Sequence, residues 1–232
     1  MRVRNPNVQR IIETQVKSWF GDLTSPEVQR QWKPPILLSR ERGTVAEEVT
    51  ERLSSKLGWP SYDKELIIQI AEAAKENPKR VEFLDEKSRE IFWEYTEVFL
   101  RSAKVLQDEY VLYLKRFIRT LGRIGGCIIV GRGANFIIEP DKALRVRLIG
   151  RPEGWKEAFI RRYEVREGEV ERVIEEWNRE QRQFIRKYFG ADPFDPHNYD
   201  VVINLDHLGW EKASELILMA YRLKFPSVNI AG

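Results

Sequence analysis

Cysteine, methionine and histidine are scarce, at one, two and two among 232 residues. A single cysteine excludes an internal disulfide, so the chain has to fold on its hydrophobic core, and it points to a reducing compartment. Cys127 lies in the apolar run Cys127-Ile-Ile-Val130, where a buried thiol serves as a small hydrophobe. With only His197 and His207 beside it, there is no His/Cys spacing for a structural zinc, and no metal ligands are assigned. Uncharged apolar stretches of bilayer length are missing, as is an N-terminal run of signal-peptide type. A cytoplasmic protein with no membrane partner is expected. Charge of one sign is also lacking: 39 Lys and Arg stand against 36 Asp and Glu, for a net charge of +3. Residues 1–34 carry six basic groups against three acidic ones, which leaves 33 of each in the rest of the chain. A neutral remainder argues against the basic stripe that nucleic-acid binding requires, so no nucleic-acid partner is expected. Hydrophobic content of 42% with 32% charged residues excludes a disordered chain, and no internal repeat or low-complexity segment interrupts it.

What is there reads as alternating strands and helices. Val8, Ile11, Ile12, Val16, Trp19 and Phe20 recur at helical spacing after Asn7 and stop at Gly21, which predicts a helical extension within 1–34. Ile36-Leu-Leu38 is a short buried strand. The helix after it places Val45, Val49, Leu53 and Leu57 on one face and ends at Gly58. Trp59 to Asp63 is a turn or short strand, and a helix carrying Leu66, Ile67 and Ile70 follows. Residues 80–121 are helical, with Tyr110, Leu114, Phe117 and Leu121 facing a core. Further strands are expected at Cys127–Val130, Ala143–Ile149 and Asp200–Leu205. A charged helical region covers 152–189, broken near Glu167-Gly168, and a last helix covers 210–222. Apolar strands separated by helices imply a parallel sheet covered on both faces, an α/β architecture.

In such a sheet the ligand crevice lies beyond the carboxyl ends of the strands. Three loops leave those ends with arginine next to glycine or a hydroxyl residue: Ser39-Arg-Glu-Arg-Gly-Thr44, Gly131-Arg-Gly-Ala-Asn135 and Gly150-Arg151. Arginine forks and free N–H groups at a helix N-terminus both bind phosphate, so the three loops converge on a phosphate-bearing ligand. Arg179, Arg182 and Arg186 are three and four residues apart and share one helix face. An arginine lid over phosphates uses this arrangement, and so does an ordinary solvated helix face.

The ordered series Ile36-Leu-Leu-Ser-Arg-Glu-Arg-Gly43, Tyr62-Asp63, Ile128-Ile-Val-Gly-Arg-Gly-Ala-Asn135, Arg186-Lys-Tyr-Phe-Gly190 and Asn198-Tyr-Asp-Val-Val-Ile-Asn204 resembles the cytidylate kinase-like family of P-loop proteins. The resemblance implies a three-layer nucleoside monophosphate kinase fold over 35–225. Its parts are a central five-stranded parallel sheet, a helical insertion and a lid at about 152–190, with 226–232 as a tail. It also implies γ-phosphoryl transfer from ATP, with Mg2+, to CMP or dCMP. On that basis Ser39, Arg40, Gly43 and Thr44 bind phosphate, and Asp63, Gly131, Arg132 and Asn135 bind nucleotide. Arg132, Arg179, Arg182 and Arg186 serve catalysis.

The sequence departs from the family where phosphate is held. The family loop reads Gly-Ser-Gly-Gly-Arg, and this chain has Gly43-Thr-Val-Ala-Glu47. Two glycines that admit a phosphate have become side-chain-bearing residues, one of them β-branched. The basic residue is a glutamate, and Glu48 follows it. Trp155 falls about where the family has arginine, and Asn178 and Gln181 replace lid aspartate and arginine. Two readings stand: a kinase acting on a nucleoside monophosphate, or a catalytically impaired relative that binds a nucleotide or a protein. The N-terminal helix is the candidate surface for a homo-oligomer.

Overall fold

In a computed structural model, the described residues are 32–63, 111, 114, 115, 118, 119, 121–123, 125–151 and 154–230. The helix expected within 7–20 and the one carrying Leu66 to Ile70 lie outside them. By its contacts the chain divides into two units, one of residues 1–32 and 62–124 and one of residues 33–61 and 125–232. In the first, the Trp32 indole N–H donates to the Gly122 carbonyl at 3.3 Å. Val111, Leu114, Ile118 and Leu121 are buried there at helical spacing. Leu114 and Leu121 are core-facing as the sequence indicates, and Tyr110 and Phe117 are outside the described residues.

The second unit carries the sheet. Its strands are β1 (Ile36–Arg40), β2 (Ser61–Tyr62), β3 (Ile128–Val130), β4 (Leu144–Ile149) and β5 (Val201–Asn204), in the order β2-β3-β1-β4-β5. β1 runs parallel to β3 and β4, and β4 runs parallel to β5. The β1–β4 register sets Ile36 on Leu144, Leu38 on Val146 and Ser39 on Arg147. Because side chains alternate along a strand, Ile36, Leu38, Leu144, Val146 and Leu148 point to one face, where they are buried. There they meet Val49, Leu53 and Leu57 of α1 (Ala46–Leu57) and Ala213, Ile217, Leu218 and Tyr221 of α4 (Leu205–Lys224). Ser39 and Arg147 point to the other face.

Helix ends follow local chemistry. Gly58 caps α1 in a left-handed conformation with φ 64°, which glycine adopts without strain. The expected break in the charged region falls between α2 (Lys156–Tyr163) and α3 (Val170–Phe189), at Glu164 and a short 3-10 turn over Glu167–Glu169. The last helix starts earlier than its apolar pattern indicates. The Asn204 side chain accepts the Asp206 N–H at 2.9 Å, which ends β5 and starts α4 at Leu205. Gly209, at φ 69° and ψ 170°, then breaks the helix before its long segment. The expected strand Asp200–Leu205 is shortened accordingly. Cys127 is buried and its thiol is pushed up to about 12 by desolvation, the state of a packing residue. Among the described residues no helix is long and apolar enough to cross a membrane.

Candidate functional site

The site sits at the carboxyl ends of β1, β3 and β4. The loop after β1 is pinned from several sides. Glu41 accepts a bond from the Gly150 N–H at 3.4 Å and faces Arg147 at 3.5 Å, and its backbone N–H donates to the Leu148 carbonyl. Thr44 turns its hydroxyl inward, donating to the Glu41 carbonyl at 2.9 Å. No side chain caps the N-terminus of α1. α3 lies against this loop: the Arg42 N–H donates to Asn178 Oδ1 at 2.9 Å, and the Arg42 guanidinium stacks over the Trp177 ring at 5.5 Å. Asparagine therefore keeps the acceptor oxygen an aspartate would offer here, without its charge. Gly43 has φ +88°, and a Cβ on it would lie 2.7 Å from Ile174 Cδ1, so only glycine fits under the helix.

A cleft between the loop and α2 is walled by Gly43, Val45, Glu47, Glu48, Trp155 and Tyr163. The Tyr163 hydroxyl donates to Glu47 Oε1 at 3.1 Å. Burial, and after it the negative charge and hydrogen bond of Glu47, push the Tyr163 hydroxyl above its ordinary range. The tyrosine is thus fixed as donor to a carboxylate at the position where the family places a cation. Triphosphate oxygens are opposed at this wall by the charges of Glu47 and Glu48, and Val45 stands where a glycine would admit them.

The opposite side has the reverse character. Arg40 ends β1, and its Nη1 lies 2.8 Å from where a Cβ on Gly131 would be. Burial lowers the proton affinity of Arg40 most, the nearby charges of Arg42 and Arg132 lower it further, and Glu47 and Tyr163 oppose them. Gly131, Arg132 and Gly133 form a left-handed turn with φ 74°, 56° and 68°. A non-glycine residue rarely adopts such a φ and pays about 1 kcal/mol or more for it. Among the described residues no hydrogen bond or ion pair holds the Arg40 or Arg132 side chain. The Asn135 amide nitrogen, one turn further on, is buried without a hydrogen-bond partner.

The remaining candidates are placed as follows. Ser39 is buried, its hydroxyl accepting from Arg147 Nη1 at 3.0 Å and lying 3.3 Å from the Tyr199 hydroxyl, so it braces the sheet face and does not line the loop. Asp63 directly follows β2, whose Ser61 belongs to the second unit and whose Tyr62, like Asp63, belongs to the first. Arg182 and Arg186 converge on Asp192, at 2.5 and 3.1 Å. Arg179 stands apart from them, exposed and 3.9 Å from Glu176. The N–H of Arg151 donates to Asp206 at 2.9 Å. Asp192 and Arg147 carry much of this geometry, and neither was singled out by sequence. Arg147 is only 2% exposed. It lies over the rings of Phe194 at 4.8 Å and Tyr199 at 5.6 Å, and Arg182 covers Phe194 from 4.9 Å.

The Asp192 carboxyl is held down to about 2, from an ordinary 3.8, first by the hydrogen bond from Arg182 and then by the Phe194 N–H and Arg186. A depressed carboxylate contributes stability above its unfolded value and loses it as pH falls through the folded one. The difference in urea midpoint between the native protein and Asp192→Asn is therefore expected to be constant above pH about 5 and to vanish between about 4 and 2. A difference independent of pH over that window would show that the ion pair does not hold α3 to the segment at Asp192.

A parallel five-stranded sheet with a glycine-containing loop opening a helix after its central strand defines the class of nucleoside-monophosphate-kinase-like α/β proteins. Residues 36–207 match the cytidylate kinase-like family, and the chain belongs to it. A crystal structure of an uncharacterized protein from Eubacterium ventriosum ATCC 27560 has the same fold, with a TM-score of 0.61 at 17% identity over 82% of this chain and 98% of that one. No curated protein matches this sequence.

Proposed function

We propose that this protein binds a nucleoside monophosphate, CMP or dCMP by its family, on the Arg40–Arg132 side of the crevice and lacks the donor-phosphate contact that efficient γ-phosphoryl transfer needs. The observation that carries this reading is the contrast across one loop. Two arginines stand without hydrogen-bond or ion-pair partners among the described residues on one side, and a Tyr163-bound Glu47 stands on the other. A dianionic phosphate supplies what the first side lacks, a charge-assisted acceptor for planar guanidinium donors. The Asn135 amide adds a donor within the same turn. A cytoplasmic location belongs to the same proposal, supported by the single, buried cysteine.

The kinase reading has one feature in its favour, the two lid arginines gathered on Asp192, which a phosphoryl group could take over from the carboxylate. Calorimetric titration separates the two. Binding of CMP or dCMP is expected, weakened at least tenfold by Arg132→Ala and competed by inorganic phosphate, while Mg-ATP gives no heat of binding at the same concentrations. Absence of monophosphate binding overturns the proposal, and tight Mg-ATP binding returns the kinase reading.

A further inference from the structure

The long segment of α4 carries large apolar side chains on its solvent side. Leu216, Met219 and Leu223 are 40%, 58% and 77% exposed, while Ala213, Ile217, Leu218 and Tyr221 of the same helix are buried in the core. The three exposed residues are spaced three and four apart, so they form one stripe along the helix. Isolated exposed hydrophobics are ordinary, whereas a continuous stripe on a helix marks a surface that is covered in the working protein. Charge is arranged around it with a direction. Glu215 and Arg222 lie seven residues apart on the same flank, and Lys212 continues the stripe toward the helix N-terminus.

We propose that α4 pairs with α4 of a second copy of this chain, antiparallel about a two-fold axis near Met219 and Ala220. That axis sets Leu216 against Leu223 of the other copy, and Met219 beside Met219 and Ala220. It also brings Glu215 to Arg222 of the other copy, twice by symmetry, and Lys212 to the negative carboxyl end of the opposing helix. Parallel pairing would instead carry the Glu215–Arg222 flanks of the two copies to opposite sides of the seam, where the two charges cannot meet. Arg222 has no ion-pair partner among the described residues, and Glu215 already faces Arg52 and Lys56 at 3.1 and 2.6 Å, so the pairing adds a third cation to a carboxylate held in place. The proposal is independent of the nucleotide reading and of the N-terminal segment.

Sedimentation velocity on the full chain tests it. Native protein is expected at twice the chain mass, and Met219→Glu at the chain mass while still unfolding cooperatively, because the side chain is exposed in the single copy. Arg222→Glu, which sets two carboxylates against each other across the seam, is expected to weaken the dimer at least tenfold. A native protein that stays at the chain mass at high concentration overturns the proposal. A dimer that survives Met219→Glu but is abolished by Ile12→Glu also overturns it and assigns assembly to the N-terminal segment.

Discussion

Replacing Glu47 with arginine is expected to raise the affinity for Mg-ATP by about three decades. Two like charges about 4 Å apart at an effective dielectric near 20 repel by about 4 kcal/mol, and that corresponds to about a thousandfold in binding. Glu47→Gln is the control, because it removes the charge and still offers an oxygen to the Tyr163 hydroxyl. It should recover most of the gain. The arginine variant also gives up the 3.1 Å bond from Tyr163, at a cost in folding stability of about 1 kcal/mol. Titration of the three proteins with Mg-ATP measures the series. Equal affinity in all three would mean that no phosphate approaches Glu47, and the charge conflict at the loop would then explain nothing.

Arg147 has the second large effect. A guanidinium that is 2% exposed, with Glu41 at 3.5 Å as its only anionic partner among the described residues, forgoes its hydration and recovers it through Ser39, Tyr199 and two aromatic rings. Arg147→Ala removes those contacts together, leaves a void between Phe194 and the sheet, and frees Glu41. Losses of about 3–5 kcal/mol are expected when one partner of a buried ion pair is deleted. Arg147→Met fills the volume with an apolar side chain and is expected to cost about 1 kcal/mol or less, or to stabilise, since buried ion pairs are often replaceable by well-packed hydrophobes. Urea denaturation of both variants with a common slope checks this. Similar losses in the two would show that the charge itself, and not the packing, holds this region together.

These residues mark how far the sequence could be read. β1 and β3 were legible because Ile36-Leu-Leu38 and Ile128-Ile-Val130 are apolar enough to be covered on both faces, and β4 because Leu144, Val146 and Leu148 form an apolar face. The break between α2 and α3 was legible because Glu167-Gly168 interrupts a helical pattern. The loops at Arg40 and Arg132 were legible because arginine and glycine follow strand ends. Arg147 was not. Period-two alternation puts Arg145 and Arg147 on one face, but Phe194 and Tyr199, which cover it, lie some fifty residues further on. Nothing within a strand tells which residues will arrive over it. The same holds for Asp192, whose partners Arg182 and Arg186 lie ten and six residues back on α3, before its left-handed Gly190 cap. The early start of α4 had a local signal in Asn204, a capping residue two before Asp206, which the apolar pattern outweighed.

The sheet of the family fold is present, and the loop after β1 divides it into two sides of opposite character. On the Arg40 side, the arginines have no partners among the described residues. On the Glu47 side, a tyrosine holds a carboxylate where a phosphate would need a cation. Incubation of the native protein with γ-labelled ATP, magnesium and CMP or dCMP, followed by separation of the nucleotides, tests that division most directly. The expected result is label retained in ATP, with no labelled diphosphate above the protein-free control. Steady turnover to labelled CDP or dCDP, abolished by Arg132→Ala, would contradict it.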